Sequence, residues 1–178
     1  LGIERPDRIT HLITISCTGL SAPGLDFHMI QRFGLNGSVE RTSVGFMGCY
    51  AAINGLRLAR QIVRSDPDAR VLMVSVELCT LHLQDTPDLE QVLSFMIFGD
   101  GCAAAVISAE AKGLALDSFA SVLVPETREH ITWGIGDQGF DMILSGQVPG
   151  RIGKFLGQHK DAVLAQDSVG DIDLWAVH

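Results

Sequence analysis

The sequence predicts an α/β protein with a layered architecture. Short apolar runs typical of buried strands alternate along the chain with longer stretches that carry apolar residues at helical spacing. The run RVLMVSVEL at 70–78 is nearly continuous in apolar and β-branched residues, as expected for a central strand covered on both faces. These observations predict a sheet of the parallel type.

The elements follow from the apolar runs and from the turn residues that flank them. The predicted strands are 11–16, 43–46, 70–78, 102–108, 114–124, 139–144 and 172–177. The predicted helices are 25–33, a long helix from about residue 49 to 65, 88–97, and 150–165 with Pro149 in its first turn. The polar break at 111–113 predicts a boundary between two domains, 1–112 and 113–178.

Composition limits the classes of function. The chain has 178 residues, and its charged fraction of 19% lies below the roughly 25% of soluble domains. We therefore expect part of the surface to face another part of a protein. The net charge of −8 disfavours binding to nucleic acid or anionic lipid. No apolar run approaches the roughly 18 residues of a membrane span and the N-terminus is charged, so a cytoplasmic protein is predicted.

The two ends of the chain predict a fragment. The sequence starts without Met and stops on the apolar run DLWAVH, with no turn or polar tail behind it. A missing half would cover apolar surface that is otherwise exposed.

The four cysteines, Cys17, Cys49, Cys79 and Cys102, lie far apart in the sequence. Without a CxxC pair or another short spacing, the sequence predicts no metal site and no disulfide framework. Cys49 stands out because it falls between an apolar strand and a helix. Unpaired N–H groups and the dipole at a helix N-terminus stabilise a thiolate, so we expect them to lower the pKa of Cys49. A buried structural cysteine is the alternative.

His178 is the candidate partner of Cys49. It ends the predicted strand 172–177, and the carboxyl edge of an open α/β sheet commonly carries the site. A thiolate and imidazolium pair is the usual way to activate a cysteine nucleophile. On spacing alone, a terminal histidine without a role stays the alternative.

Four blocks of the sequence form an ordered set. They are ITHLITISCTGLSAPG at 9–24, GFMGCYAAINGLRLA at 45–59, SFMIFGDGCAA at 94–104 and DLWAVH at 173–178. Taken together, they resemble the bacterial branch of the type III polyketide synthases, the chalcone synthase-like group of the thiolase fold. The resemblance implies a thiolase-like α-β-α-β-α layered fold, of which this chain is an incomplete portion. Residues 1–112 would be the later part of the N-terminal half, and 113–178 the start of the C-terminal half.

By this resemblance, Cys49 is the nucleophile that accepts an acyl group from coenzyme A and holds the growing polyketide as a thioester. His178 maintains the thiolate and, with an asparagine beyond residue 178, polarises the thioester carbonyl. Because that asparagine lies outside the sequence, we expect the fragment alone to be inactive.

The resemblance also implies positions around the substrate cavity. Phe98 corresponds to a gatekeeper phenylalanine between the coenzyme A tunnel and the cavity, with a core phenylalanine as the alternative, and Met142 corresponds to a second gatekeeper. The other implied residues are Cys17, Thr18, Cys79 and His82 at the cavity, and Ala22 and Pro23 on the loop that reaches the partner subunit. Asp100, between two glycines, is expected to be structural and to bond backbone donors.

The implied function is decarboxylative condensation of malonyl-CoA onto an acyl-CoA starter, followed by cyclisation to a pyrone or phenolic product. The coenzyme A thioesters are substrates, no cofactor is expected, and a homodimer is implied. Two alternatives stay open. One is an enzyme similar to 3-oxoacyl-acyl-carrier-protein synthase III, which shares the fold, the cysteine and the histidine. The other is an inactive dimerisation fragment in which Cys49 is merely buried.

Overall fold

A computed structural model describes residues 5–164 and 168–178. The chain divides into two compact units. The first contains the chain up to Asp85 together with Phe95–Asp117, and the second contains Thr86–Ser94 and Ser118–His178. Within the described ranges, no helix is long and apolar enough to cross a membrane.

The first unit is built on a four-stranded sheet in the order β2-β1-β3-β4. Its strands are β1 (His11–Ser16), β2 (Glu40–Gly45), β3 (Val71–Glu77) and β4 (Gly101–Ile107). β1 pairs in parallel with both β2 and β3. The carboxyl ends of these three strands therefore meet at one edge of the sheet.

The fourth strand departs from the predicted parallel arrangement. β4 pairs antiparallel with β3, and Gly101 lies opposite Glu77. The chain thus leaves β3 and enters β4 at the same edge of the sheet, and a strand entered there without a crossover must run antiparallel. The prediction of a parallel-type sheet is wrong for this strand, and the sheet is mixed.

Helices α1 (Leu25–Phe33) and α2 (Ala51–Ser65) cover opposite faces of the sheet. Successive residues of a strand point to opposite faces, and two separate apolar clusters result. The cluster on the side of α1 consists of Ile9, Leu12, Met29, Leu35, Val39, Leu72 and Val74. The cluster on the side of α2 consists of Ile13, Ile15, Ala51, Ala59, Val71 and Met73.

α2 approaches the sheet closely at Gly55. A Cβ atom at this position would lie 2.4 Å from Cδ1 of Ile15 and 2.9 Å from Sδ of Met73. The missing side chain therefore allows the N-terminal part of α2 to pack directly on β1 and β3. This packing fixes the turn that precedes α2 against the carboxyl edge of the sheet.

The second unit contains a two-stranded antiparallel sheet and short helices. Its elements are α3 (Leu89–Ile97), whose last three residues belong to the first unit, β5 (Ile131–Ile135), β6 (Phe140–Leu144), α4 (Val148–Gln158) and α5 (Lys160–Leu164). The predicted strand 139–144 is found as β6, whereas 114–124 has no regular structure and β5 was not predicted.

The predicted helix 150–165 is divided at His159. The backbone N–H of His159 donates to the carbonyl of Phe155 at 2.9 Å, and its Nδ1 lies 3.2 Å from the same oxygen. The two rings also stack, with centroids 4.4 Å apart. This local arrangement ends α4 one turn past Phe155, and residue 165 lies outside the described residues.

The predicted strand 172–177 does not form. Residues 172–178 are irregular, and Leu174 and Val177 are 90% and 85% exposed. A strand needs a neighbour that accepts and donates its backbone hydrogen bonds. Among the described residues, none pairs with this segment. The segment therefore stays irregular although its composition is typical of a strand.

Candidate active site

Each of the three parallel strands is followed by a cysteine at the same edge of the sheet. Cys17 comes directly after β1, Cys49 follows the end of β2 through a short turn, and Cys79 follows β3. None of the three forms a disulfide bond with another described cysteine. The carboxyl edge of parallel strands is where open α/β sheets place their sites, so this edge is the candidate active site.

Cys49 lies in a tight turn immediately before α2. The N-cap of that helix is Tyr50, and the turn contains two residues with positive φ, Phe46 at 53° and Gly48 at 80°. A left-handed conformation of a residue other than glycine costs about 1 to 3 kcal/mol and is concentrated at functional sites. The strained turn places Cys49 at the helix N-terminus and on the surface of the chain.

The electrostatics of Cys49 differ from the prediction. Partial burial of the sulphur raises the pKa of the Cys49 thiol, and the neighbouring Cys17 and Glu77 raise it further. A backbone hydrogen bond acts in the opposite direction but does not compensate. The prediction that the helix N-terminus lowers this pKa is wrong for the chain as it stands, because burial and negative neighbours outweigh the backbone contribution.

Glu77, the last residue of β3, holds the segment that follows β1. Its two carboxylate oxygens accept the backbone N–H of Cys17 at 3.1 and 3.2 Å, and one of them also accepts the hydroxyl of Thr18. The Thr18 hydroxyl in turn accepts the N–H of Leu78 at 2.6 Å. Glu77 therefore joins the ends of the two central strands next to the thiols.

Glu77 is the residue of the candidate site that the sequence analysis missed. The signal was present, since a carboxylate ends the otherwise apolar run RVLMVSVEL. A charged residue at the end of a buried strand needs hydrogen-bond partners, and these partners come from residues about sixty positions earlier.

Cys17 also contacts the turn that carries Cys49. Its Sγ atom lies 3.8 Å from the carbonyl oxygen of Gly48, in the geometry of a weak S–H hydrogen bond. Thr18, next in the chain, is buried. The structure thus brings Cys17, Thr18 and Cys49 together.

The remaining cavity candidates lie on one short 3-10 turn, Cys79–His82. The Nε2 atom of His82 lies 2.6 Å from the carbonyl oxygen of Thr18, which requires the proton of the ring to be on Nε2. Burial raises the pKa of the Cys79 thiol, and Glu77 and Asp100 add to the effect. These contacts place the turn beside the ends of β1 and β3.

The other predicted residues lie in different places. Phe98 is half-buried between α3 and β4, and Ala22 and Pro23 are exposed on the loop before α1. Met142 is buried in β6 of the second unit, opposite Trp133 of β5. His178 is exposed in the irregular segment at the end of the second unit. Its pairing with Cys49 in the first unit stays a prediction.

No group of histidine, cysteine, aspartate and glutamate side chains is arranged to hold a metal ion within 5–164 and 168–178.

A mixed α/β sheet whose carboxyl edge carries a cysteine in a strained turn before a helix agrees with the expected thiolase-like class of fold. The comparisons identify the family within this class. The profile of the N-terminal domain of chalcone and stilbene synthases matches residues 4–111. The chain belongs to this family, and its relatives are type III polyketide synthases.

Several relatives are about one third identical to this chain over the aligned residues. Over 98% of its length it is 35% identical to the alpha-pyrone synthesis polyketide synthase-like Pks18 of Mycobacterium tuberculosis, of which it covers 47%. Over 94% of its length it is 31% identical to the 1,3,6,8-tetrahydroxynaphthalene synthase of Streptomyces peucetius subsp. caesius, of which it covers 46%. The chain spans about half the length of the curated relatives it matches.

Solved structures of polyketide synthases are also similar to this chain over about half of their own length. PKS-I from the brown alga Ectocarpus siliculosus superposes with a TM-score of 0.87 at 35% identity, over 95% of this chain and 47% of that protein. The 1,3,6,8-tetrahydroxynaphthalene synthase of Streptomyces coelicolor A3(2), a bacterial type III polyketide synthase, superposes with a TM-score of 0.86 at 26% identity, over 97% and 51% of the two chains. The predicted thiolase-like α/β fold, present here as a portion, is confirmed.

Proposed function

We propose that the chain is part of a type III polyketide synthase of its relatives' length, here called the full-length enzyme, and that Cys49 is its acyl-carrying nucleophile. The observation that carries the proposal is the position of Cys49. It lies in the strained turn between β2 and α2, at the sheet edge where Cys17, Thr18 and the Cys79–His82 turn converge. This turn falls inside the region matched by the family profile.

The proposed reaction begins with transfer of an acyl group. The Cys49 thiolate attacks the carbonyl of an acyl-CoA, the new S–C bond forms, and the coenzyme A thiolate leaves. Malonyl-CoA then loses carbon dioxide, and the resulting enolate attacks the acyl carbonyl. A C–C bond forms and the Cys49 thiolate is released. The extended chain can return to Cys49 for another cycle before it cyclises.

The raised thiol pKa supports a role for a positive partner. With burial, Cys17 and Glu77 all disfavouring the thiolate, the groups around Cys49 in the first unit do not supply the nucleophile at neutral pH. An imidazolium beside the sulphur favours the thiolate. His178 is the residue that the family resemblance assigns to this role, and we propose it as the partner.

The product is proposed at the level of its chemical class. The names of the relatives include an alpha-pyrone synthesis enzyme, a tetrahydroxynaphthalene synthase and a bisdemethoxycurcumin synthase. Cyclisation to a pyrone or a phenolic ring is the outcome that fits most of this range. Acyl-CoA starters and malonyl-CoA are the proposed substrates, with no separate cofactor.

Two further proposals concern the oligomeric state of the enzyme and its location in the cell. Ala22 and Pro23 lie on an exposed loop, as is required of residues that reach a partner subunit, and we propose a homodimer formed through this loop. The cytoplasm is the proposed location.

The central test is capture of the acyl group. The full-length enzyme is incubated with an isotopically labelled acyl-CoA, and peptides are analysed by mass spectrometry. We expect the label on the peptide that contains Cys49, and its complete loss in Cys49→Ala. Cys17→Ser and Cys79→Ser are matched controls because both thiols lie at the same edge, and each should retain the label. A label on another residue, or none with any starter, contradicts the proposal.

A further inference from the structure

Asp100 forms a two-point contact with a residue twenty positions before it. One carboxylate oxygen accepts the backbone N–H of Thr80 at 2.9 Å, and the other accepts the Thr80 hydroxyl at 2.7 Å. Asp100 thus does bond a backbone donor, as predicted, but the donor belongs to the Cys79–His82 turn and not to its own glycine turn. The contact joins the segment that precedes β4 to the segment that follows β3.

The turn held by Asp100 has little packing of its own. None of its four residues is buried, and no side chain caps its N-terminus. Its side-chain contacts include the bond of Thr80 to Asp100 and the bond of His82 to the Thr18 carbonyl. A short exposed turn keeps one position only when such contacts fix it.

The contact between Thr80 and Asp100 affects the position of the Cys79–His82 turn more than the stability of the fold. Thr80 and Asp100 are both exposed, and an exposed hydrogen bond adds little net stability because water competes for both groups. The residues that it positions are nevertheless the proposed cavity residues Cys79 and His82. Phe98, the proposed gatekeeper, lies two positions before Asp100 in the same segment.

We propose that Asp100 is a positioning residue that fixes the Cys79–His82 turn relative to Phe98 and thereby sets which acyl starters the cavity accepts. The inference rests on the proposed function and extends it, since it assigns a determinant of starter choice outside the cavity wall. The charge of Asp100 has a second effect at the same place, because a carboxylate beside Cys79 favours the protonated thiol.

The test compares two variants that break the contact from opposite sides. Asp100→Asn removes the charge and weakens both bonds, Thr80→Val removes the hydroxyl, and Thr80→Ser keeps both donors. Asp68→Asn is the matched control, because it removes an exposed carboxylate just before β3, at the opposite edge of the sheet. Each variant of the full-length enzyme is assayed with acetyl-CoA and lauroyl-CoA as starters. Melting temperature and the rate of iodoacetamide modification of Cys79 are recorded in parallel.

We expect the ratio of kcat/KM for the two starters to change at least about threefold in Asp100→Asn and Thr80→Val, because displacement of a positioning group by a fraction of an ångström is enough to alter rates. Cys79 should be modified faster in both variants, and most of all in Asp100→Asn. Thr80→Ser and Asp68→Asn should behave as the wild type, and melting temperatures should change little.

An unchanged starter ratio in both variants, with the protein folded, overturns the proposal. A starter ratio that changes only together with a large loss of melting temperature also overturns it, since Asp100 would then act on the whole fold. If the wild type turns over neither these two starters nor any other acyl-CoA, the proposed function fails. In that case the iodoacetamide modification rate of Cys79 still tests the positioning role of Asp100. An unchanged rate in both variants shows that Asp100 does not fix the turn.

Discussion

The sulphur of Cys49 lies among groups that disfavour its ionisation. Burial, the adjacent Cys17 and the carboxylate of Glu77 act in the same direction, so a neutral thiol is the dominant form near pH 7 in the chain as it stands. The nucleophile of a thioester-forming enzyme must be a thiolate. The proposed chemistry therefore needs a positive charge beside the sulphur, which is the role proposed for His178.

Glu77 provides a test of this electrostatic account. In Glu77→Gln the negative charge is lost while the acceptor oxygen for the Cys17 N–H is kept, so the pKa values of the Cys49 and Cys79 thiols should fall. A lower pKa means more thiolate at a given pH, and the midpoint of the pH profile for iodoacetamide modification should move to lower pH. We expect a several-fold faster modification of both thiols at pH 7.

Glu40→Gln is the control for this measurement. Glu40 is an exposed carboxylate at the start of β2, at the opposite edge of the sheet, and its removal should leave both thiol profiles unchanged. A shift of the same size in Glu40→Gln would show that the net charge of the chain acts on the thiols and that Glu77 has no specific effect.

Where the sequence signal of an element lies within it or next to it, the bounds of the element were predicted within a few residues. The strand at 11–16 and the helix at 25–33 coincide with β1 and α1, and Gly34 ends the helix in the left-handed conformation. In each case the signal lies inside the element or next to it, as a short apolar run or a glycine after a helix.

The elements that were predicted wrongly or missed depend on pairing with strands far away in the chain. The direction of β4 follows from the edge at which the chain enters it, and the segment 172–177 lacks the neighbouring strand that its composition suits. β5 was missed because its sequence, ITWGI, contains glycine and has no long apolar run; it is held by pairing with β6.

The candidate site was predicted in part for the same reason. The cysteine turn before α2 is a local feature of the sequence, so the position of Cys49 at the helix N-terminus could be predicted. The pKa of its thiol could not, because that value depends on burial and on Cys17 and Glu77. These two residues come near the turn through the pairing of β1 with β2 and with β3. Sequence patterns indicate where a side chain sits along an element, and tertiary pairing decides which charges surround it.

Gly55 gives a prediction at the scale of one helix. In Gly55→Ala the new methyl group meets Ile15 and Met73, both buried, at distances too short for contact. Overpacking of this kind costs about 1 to 3 kcal/mol, whereas alanine gains up to about 1 kcal/mol of helix propensity. We expect a net loss of about 1 kcal/mol in the free energy of unfolding, measured by urea denaturation of the full-length enzyme.

Gly153→Ala in α4 is the matched control. A Cβ atom at Gly153 meets nothing within 4 Å, so only the propensity term remains and the variant should be as stable as the wild type or more stable. Stabilisation by Gly55→Ala to the same extent would show that α2 does not press on the sheet at this position. Because α2 follows Cys49 directly, Gly55→Ala should also reduce the rate of acyl transfer to Cys49.

At the scale of the whole molecule, the chain carries apolar side chains that its own fold does not cover. Leu114, Leu123 and Leu174 are each at least 90% exposed, and the second unit contributes few buried residues to any core. Isolated exposed leucines are common in proteins, but here they occur in a chain whose charged fraction is only 19%, below the roughly 25% of soluble domains. The observation agrees with a chain that spans about half of its relatives.

The 178 residues produced alone should therefore differ from the full-length enzyme in two measurements. Exposed apolar surface binds hydrophobic dyes such as ANS and promotes association, so we expect strong dye fluorescence and oligomers in size-exclusion chromatography. Turnover of acyl-CoA with malonyl-CoA should be absent, because the resemblance places the asparagine that assists His178 beyond the last residue. Full-length enzyme should show neither the dye signal nor the loss of turnover. If the 178 residues alone are monomeric and produce polyketide, the catalytic groups are complete within this chain, and the expected role of that asparagine must be abandoned.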